Sequence, residues 1–325
     1  MPLLLNEDDV RAVLPMADLI ETMRGALAAY SSGRTQQPLR TVLELGQQRA
    51  FFGIMPASLD ESRAVGTKLV TVFPSNRDRG LPSHLATIVL LDPETGALDA
   101  LMDGRYITEA RTAAVSAVSV DVLALPDAGT LALIGSGVQA RSHLEAIACV
   151  RRLTDVRVWS PDESHRAAFA REAQHVHPNV RAVGSAREAV DGADLIVTAT
   201  SATSPVLASD WVRDSAHVCA VGACRPTHRE LDSALIARSR LFVDSTIGAL
   251  AEAGDIVLAI GERAIAADHI AGEIGSVVSG TVQGRQQPRQ VTVFKSLGMA
   301  VEDVAAAHLV CTRARARGVG TMLAV

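Results

Sequence analysis

The stretch Leu131-Ala132-Leu133-Ile134-Gly135-Ser136-Gly137-Val138-Gln139-Ala140 decides the fold. It reads as an apolar strand, a glycine turn and the start of a helix. Gly135 permits the tight turn, Gly137 lets the backbone approach a pyrophosphate, and Ala140 stands for a third glycine where the helix packs on the strand. The helix N-terminus then offers unpaired N–H groups and a positive dipole end to an anion. Alone, a G-x-G-x-x-A pattern is weak, since a tight turn with no ligand also satisfies it. Here it opens a long alternation of short apolar runs and helices. The runs are Thr130–Ile134, Val156–Trp159, Leu195–Thr200, Ala216–Val221 and Leu241–Asp244. Each is β-rich and lacks polar alternation, as in strands covered on both faces of a parallel sheet. The reading is therefore α/β, with a Rossmann-type doubly wound sheet that binds a dinucleotide. Gly135, Gly137, Val138 and Gln139 are assigned to the cofactor, as are Thr200, Val221 and Gly222 on later strand ends.

The second strand ends at Trp159 and is followed by Ser160-Pro161-Asp162. An acidic residue at that end would bind a ribose 2′-hydroxyl and repel a 2′-phosphate. Ser160 is neutral and Arg166 lies close behind it, which favours NADP(H). Asp162 could instead play the acidic role, so NAD(H) stays open. Arg166 reads equally well as a solvated helix residue.

Upstream the pattern differs. A helix near Asp9, capped by Asn6 or Asp8, and a second over Met16–Tyr30 precede strand-like pieces. These are Arg40–Leu45, Ala50–Met55, Ala64–Val72, Ala86–Asp92 and Ala97–Met102, the last two joined by a turn with Gly96 in the left-handed position. The result is a mostly antiparallel sheet, followed by an alanine-rich helix over Thr108–Leu123. A long helical pattern, Gly298–Arg317, closes the chain and cannot extend the parallel sheet.

At 325 residues, with 48% hydrophobic and 21% charged residues, the chain has room for about two domains around aliphatic cores. Aromatics at 3% and a net charge of −5 argue against nucleic acid, which needs stacking rings and basic patches. No apolar run reaches the ~20 residues of a membrane span. The N-terminus turns acidic after Leu5 and is not a secretory pattern, so the expected location is a reducing cytoplasm. Cys149, Cys219 and Cys311 read as small buried apolar residues. His175 and His177 lack a third ligand, so no metal site is expected, and Arg313, Arg315 and Arg317 read as a solvated surface.

Several polar residues stand where a scaffold would not need them. Lys68 sits within Val65-Gly66-Thr67-Lys68-Leu69-Val70, and burying it requires a partner unless it faces solvent at an edge. Arg40, Ser83 and His84 open strands, while Arg111 and Thr112 lie in a smooth run of small helical residues.

These stretches resemble the ornithine cyclodeaminase/μ-crystallin family along essentially the whole chain. The resemblance is carried by Met55-Pro56-Ala57, Gly66–Pro74, Gly80–Ala86, Met102-Asp103-Gly104, Arg111–Ala117, Gly135–Ala140 and Val291–Asp303. It implies a homodimer-forming substrate domain, residues 1–120 with 300–325, beside a dinucleotide domain over 121–299, with the substrate site between them. By matching position, Arg40, Lys68 and Arg111 would hold a substrate carboxylate, with Met55 beside them. Ser83, His84, Arg111 and Thr112 would line the nicotinamide end. Lys68 is the expected proton donor, since a buried lysine shifts downward in pKa. Glu252 matches a pocket-facing glutamate, or is a solvated helix carboxylate. Phe294, Lys295 and Ser296 match a stretch closing over the nicotinamide, or form a purely structural strand.

One position departs from the cyclodeaminases. Their aspartate, thought to activate water or steer the ring-closing amine, is here Cys224, in Gly222-Ala223-Cys224-Arg225-Pro226. A neutral thiol is a poor base, whereas hydride delivery to a protonated C=N needs only positioning, a carboxylate clamp and an acid. The expected activity is reduction of small cyclic imino acids, with Cys224 an inert pocket wall. Ornithine cyclodeamination and amino-acid dehydrogenation are the alternatives, and a non-catalytic binding protein is a further one.

Overall fold

The computed structural model describes residues 1–46 and 50–324. The chain forms two compact units, Met1–Arg111 with Gly298–Val325, and Thr112–Leu297. In chain order, β1 (Leu3–Leu5), α1 (Glu7–Val13) and α2 (Met16–Ser31) come first. Then follow β2 (Thr35–Gln36), β3 (Thr41–Leu45), β4 (Ala50–Leu59), β5 (Ala64–Val72), β6 (His84–Leu91) and β7 (Leu98–Asp103). The division between units falls inside α3 (Arg105–Leu123), earlier than the expected residue 120. Ser116 and Ser119 of that helix bond into the second unit, to His143 and His217.

The second unit continues with β8 (Thr130–Ile134), α4 (Val138–Val150), β9 (Asp155–Trp159), α5 (Glu163–Glu172), β10 (Val180–Ala182), α6 (Ala186–Val190) and β11 (Leu195–Thr198). It completes with β12 (His217–Ala220), α7 (Ser233–Arg238), β13 (Arg240–Val243), α8 (Thr246–Glu252), α9 (Gly254–Gly261), β14 (Ile270–Glu273), α10 (Ile274–Val278) and β15 (Thr292–Lys295). The chain then returns to the first unit through α11 (Ala300–Arg317) and β16 (Thr321–Met322).

The second unit's sheet runs β10-β9-β8-β11-β12-β15-β13-β14, parallel at every pairing. Strand order reverses between β8 and β11, the switch point at which such sheets bind ligands. The short edge strands β10 and β14 escaped sequence reading because they are only partly buried. β15 was not expected as a strand of this sheet, yet it inserts between β12 and β13.

The first unit's sheet runs β16-β1-β7-β6-β5-β4-β2, with β3 also on β4, and is antiparallel except for β1 on β7. Gly96 takes the left-handed conformation at φ 72° in the β6–β7 turn, as expected. Met55, Lys68, Ile88 and Met102 form one cross-strand row on the face that α11 covers. The opposite face is open and apolar, with Leu43, Leu85 and Leu91 exposed. Among the described residues, no helix is long and apolar enough to cross a membrane.

Two expectations change. Cys149 is exposed, because it lies on the outer side of α4. Arg313 and Arg315 do not merely face water: they pair with Asp18 and Asp99, and Arg317 donates to the Ala12 carbonyl. The C-terminal end of α11 is thereby tied to the N-terminal helices and β7.

A Cβ at Gly66 would lie 2.5 Å from the Val89 carbonyl oxygen on the paired strand, so Gly66→Ala should lower stability by about 1–3 kcal/mol. At exposed Gly25 in α2 a Cβ meets nothing, and Gly25→Ala should raise stability by about 0.5–1 kcal/mol. Urea unfolding of both variants measures the opposite signs.

Candidate active site

In the first unit, charge is concentrated where β5 meets the start of α11. Alternation on β5 turns Lys68 toward the covered face with Ala64, Gly66 and Val70. Its row neighbours Met55 and Ile88 are apolar and buried, so the ammonium depends on side chains from above. α11 supplies them: Lys68 Nζ lies 2.5 Å from Asp303 Oδ2. Arg111, from α3, donates through Nε to Asp303 Oδ1 at 2.8 Å and through Nη1 to Glu302 Oε2 at 2.7 Å. Glu302 Oε2 also accepts from the Met299 N–H at 3.1 Å, and both acids sit in the first turn of α11, where the helix dipole favours negative charge.

Gly298 makes this seat possible. It adopts φ 82°, and a Cβ there would lie 2.4 Å from Arg111 Nη1. Its carbonyl accepts from Arg40 Nη2 at 3.0 Å, which brings the third expected cation to the same place. Of these five side chains three are cationic and two anionic, so the group carries one positive charge in excess.

Burial, with Arg111 and Arg40, pulls the Lys68 ammonium down to about 8, and Asp303 offsets this only in part. Asp303 is held below the usual carboxylate range: Arg111 and Lys68 overcome the upward push of burial. His84, half-buried on the same sheet face, is pushed down to about 4 by burial, Lys68 and Arg111, and is neutral at pH 7. Ser83 accepts from the Phe73 N–H through its carbonyl, and Thr112 is buried on α3.

The second unit carries the phosphate loop as read. Gly135 has φ 118°, and a Cβ there would lie 2.5 Å from the Ala199 carbonyl oxygen. Gly137 is the N-cap of α4, and a Cβ on it would meet nothing within 4 Å. The helix end therefore has open space before it, with exposed Val138 and half-buried Gln139 in its first turn. These features fit a dinucleotide pyrophosphate. Ser136 Oγ donates to Ser160 Oγ at 2.8 Å, and Arg166 Nη1 donates to the Ser160 carbonyl at 3.1 Å. Asp162 is committed elsewhere: it caps α5, accepting from the His165 N–H at 2.9 Å.

Thr200, Val221 and Gly222 follow β11 and β12 at the C-terminal edge of the sheet. Cys224 is exposed on the next turn, its Sγ 3.4 Å from the Val221 carbonyl, and Glu252 is half-buried at the end of α8. Phe294 needs correction as a substrate contact. It is fully buried within β15, in register with Cys219 and Phe242, and serves the sheet core. Lys295 and Ser296 are buried too, and Lys295 Nζ lies 3.2 Å from Asp255 Oδ2.

Sequence reading assigned no role to Glu302, Asp303, Glu230 or Asp255, all essentially inaccessible. The signal was present: Val301-Glu302-Asp303-Val304-Ala305-Ala306-Ala307 places two acids in an otherwise apolar helical run. His175 Nδ1 and His177 Nε2 each meet a backbone carbonyl.

The doubly wound sheet with its open phosphate loop places the second unit in the class of dinucleotide-binding folds, while the first unit buries an ion cluster of Lys68, Arg111, Glu302 and Asp303. The chain belongs to the ornithine cyclodeaminase/mu-crystallin family, whose model matches residues 2–318. It is similar to the ketimine reductase mu-crystallin of Rattus norvegicus, 43% identical over 95% of this chain and 96% of that one. Among solved structures it is similar to Thermococcus litoralis Δ1-pyrroline-2-carboxylate reductase in complex with NADH and L-proline. That match has a TM-score of 0.96 and 38% identity, covering 99% of this chain and 100% of the other. An archaeal alanine dehydrogenase dimer with bound NAD matches at a TM-score of 0.94 and 30% identity, over 99% of each chain.

Removing one member of a buried ion cluster leaves the others uncompensated. Asp303→Asn should therefore lower stability by about 3–5 kcal/mol, read from urea unfolding at neutral pH. Substitution of Asp162, an exposed cap, should cost only about 1 kcal/mol in the same assay.

Proposed function

We propose that this chain is an NAD(P)H-dependent ketimine reductase that converts small cyclic imino acids to cyclic amino acids. Δ1-Pyrroline-2-carboxylate would give L-proline, and Δ1-piperideine-2-carboxylate would give L-pipecolate. The observation that carries this reading is the cluster of buried Lys68, Arg111, Glu302 and Asp303 with half-buried Arg40 beside it, whose single excess positive charge matches one substrate carboxylate. The rat and Thermococcus relatives, by name a ketimine reductase and a pyrroline-2-carboxylate reductase, support the same chemistry.

Bound NAD(P)H would supply a hydride to the imine carbon. The chain's residues do the rest. Arg40 and Arg111 hold the carboxylate, with Arg111 fixed in orientation by Glu302 and Asp303. Lys68 keeps the imine nitrogen protonated, and its lowered pKa makes it a better donor near neutral pH than an ordinary lysine. His84, being neutral, adds no charge to the cluster, so the excess stays at one. Met55 supplies an apolar wall beside Lys68.

Neutral Ser160 at the end of β9 and Arg166 behind it support NADP(H) over NAD(H), with Asp162 used as a helix cap. The exposed apolar face bearing Leu43, Leu85 and Leu91 is where we place a second copy in a homodimer, the state named for the archaeal neighbour.

Ornithine cyclodeamination is disfavoured by Cys224, since no carboxylate stands where that reaction needs a base. An amino-acid dehydrogenase reading draws support from the alanine dehydrogenase neighbour and would share the clamp.

NADPH and NADH absorbance, followed with both cyclic imines, with pyruvate plus ammonia and with ornithine, separates these readings. Oxidation of cofactor by the cyclic imines supports the proposal. Ammonia release from ornithine without net cofactor turnover, or activity confined to pyruvate plus ammonia, contradicts it. Lys68→Met should lower kcat/KM by about 10²–10⁴-fold. With Lys68 required in its charged form, kcat/KM should fall as pH rises through about 8, and that limb should vanish in the Lys68→Met variant.

A further inference from the structure

The C-terminal edge of β11 and β12 is organised around a buried carboxylate to which no role has been given. Glu230 has no solvent access and accepts from four donors. Its Oε1 takes the Thr200 N–H and the Thr200 hydroxyl, both at 2.7 Å. Its Oε2 takes the Thr198 hydroxyl at 2.9 Å and the Gly222 N–H at 2.7 Å. One side chain thus pins both strand ends. Gly222 is glycine for this reason, since a Cβ there would lie 2.5 Å from Glu230 Oε1 and 2.1 Å from the Thr200 carbonyl oxygen.

A second layer holds the first. Asp255 Oδ1 accepts from the backbone N–H groups of Glu230 and Leu231 at 2.7 and 2.9 Å. Asp255 Oδ2 lies 3.2 Å from Lys295 Nζ, and both residues are inaccessible. Burial and the neighbouring Asp255 charge hold the Glu230 carboxyl above its ordinary value, although Lys295 and the Thr200 donors oppose them. Each carboxyl oxygen faces an N–H that cannot accept a proton, which suits the ionised form. Two carboxylates then share one ammonium, so this trio carries one buried negative charge in excess.

In a doubly wound sheet the pyrophosphate lies at the first βα turn, and the two halves of the dinucleotide extend to either side along the strand ends. Ser160 marks the adenosine side on β9, which leaves β11 and β12 for the nicotinamide side. We propose that Glu230, held by Asp255 and Lys295, is a positioning residue for the nicotinamide end of the site, and that its buried charge favours the oxidised, cationic ring over the reduced one. The proposal rests on the cofactor assignment made above. Its consequence is that oxidised cofactor binds more tightly relative to reduced cofactor than the shape of the site alone would dictate. Product release after imine reduction is then slowed by the same charge that stabilises the developing ring cation.

The test compares equilibrium binding of NADP+, NADPH and ADP-ribose to the wild-type protein and to Glu230→Gln, by calorimetry or tryptophan fluorescence. Gln keeps the size and removes the charge. NADP+ should weaken at least about fivefold more than NADPH, as expected for losing one buried charge near a cationic ring, while ADP-ribose, which has no nicotinamide, should be unchanged. Should Glu230→Gln fail to fold, as judged by circular dichroism, Asp255→Asn removes one charge from the same trio and predicts the same direction. Equal weakening of NADP+ and NADPH, no change in either, or a parallel loss of ADP-ribose affinity overturns the proposal and leaves the cofactor reading intact. Failure of the wild-type protein to bind any of these ligands, or NAD+ and NADH in their place, overturns the cofactor reading and this proposal with it.

Discussion

Burying an ammonium and a guanidinium beneath a helix is possible only if carboxylates come with it, because an unpaired charge in a low-dielectric interior is too unfavourable to survive. Lys68 and Arg111 lie on segments of the first unit, and the acids that neutralise them, Glu302 and Asp303, come from the far end of the chain. This requirement explains why the chain leaves the second unit and comes back: α11 must dock on β4, β5 and β6 for the first sheet to close over its lysine. Gly298 is the point of return, with a left-handed conformation that only glycine adopts readily and a carbonyl that takes the Arg40 hydrogen bond.

The two units solve opposite electrostatic problems. In the first, five side chains leave one positive charge over, suited to an anionic substrate. In the second, the Glu230–Asp255–Lys295 trio leaves one negative charge over, suited to a cationic ring. The second excess is fixed wholly by buried residues and is little screened by salt, whereas the first rests on half-buried Arg40 above a neutral buried core.

Much of this was legible in the residues. The G-x-G-x-x-A turn and the unalternating apolar runs gave the parallel sheet, because burial on both faces leaves an unambiguous mark on a strand. Lys68 was conspicuous for a similar reason: a charge among Val65, Leu69 and Val70 demands an explanation. Its partners were harder to assign, since Glu302 and Asp303 lie more than two hundred residues away and only the folded topology brings them to Lys68. Glu230 was hidden differently. Arg-Glu-Leu-Asp reads as a polar turn, and nothing local says that its glutamate points inward. Phe294 misled because a strand from the end of the dinucleotide unit slots between β12 and β13, and sequence order does not reveal such an insertion.

We read the first unit as recognising a carboxylate through one excess positive charge, that of half-buried Arg40 beside the neutral buried group of Lys68, Arg111, Glu302 and Asp303. Competition binding of L-proline against L-prolinamide, to the protein saturated with oxidised cofactor, addresses it most directly. The two ligands share the ring and differ in the carboxylate alone. L-Proline should bind, and L-prolinamide at least about a hundredfold more weakly, the discrimination expected where a polar site is left unpaired. Equal affinity for the two would contradict it.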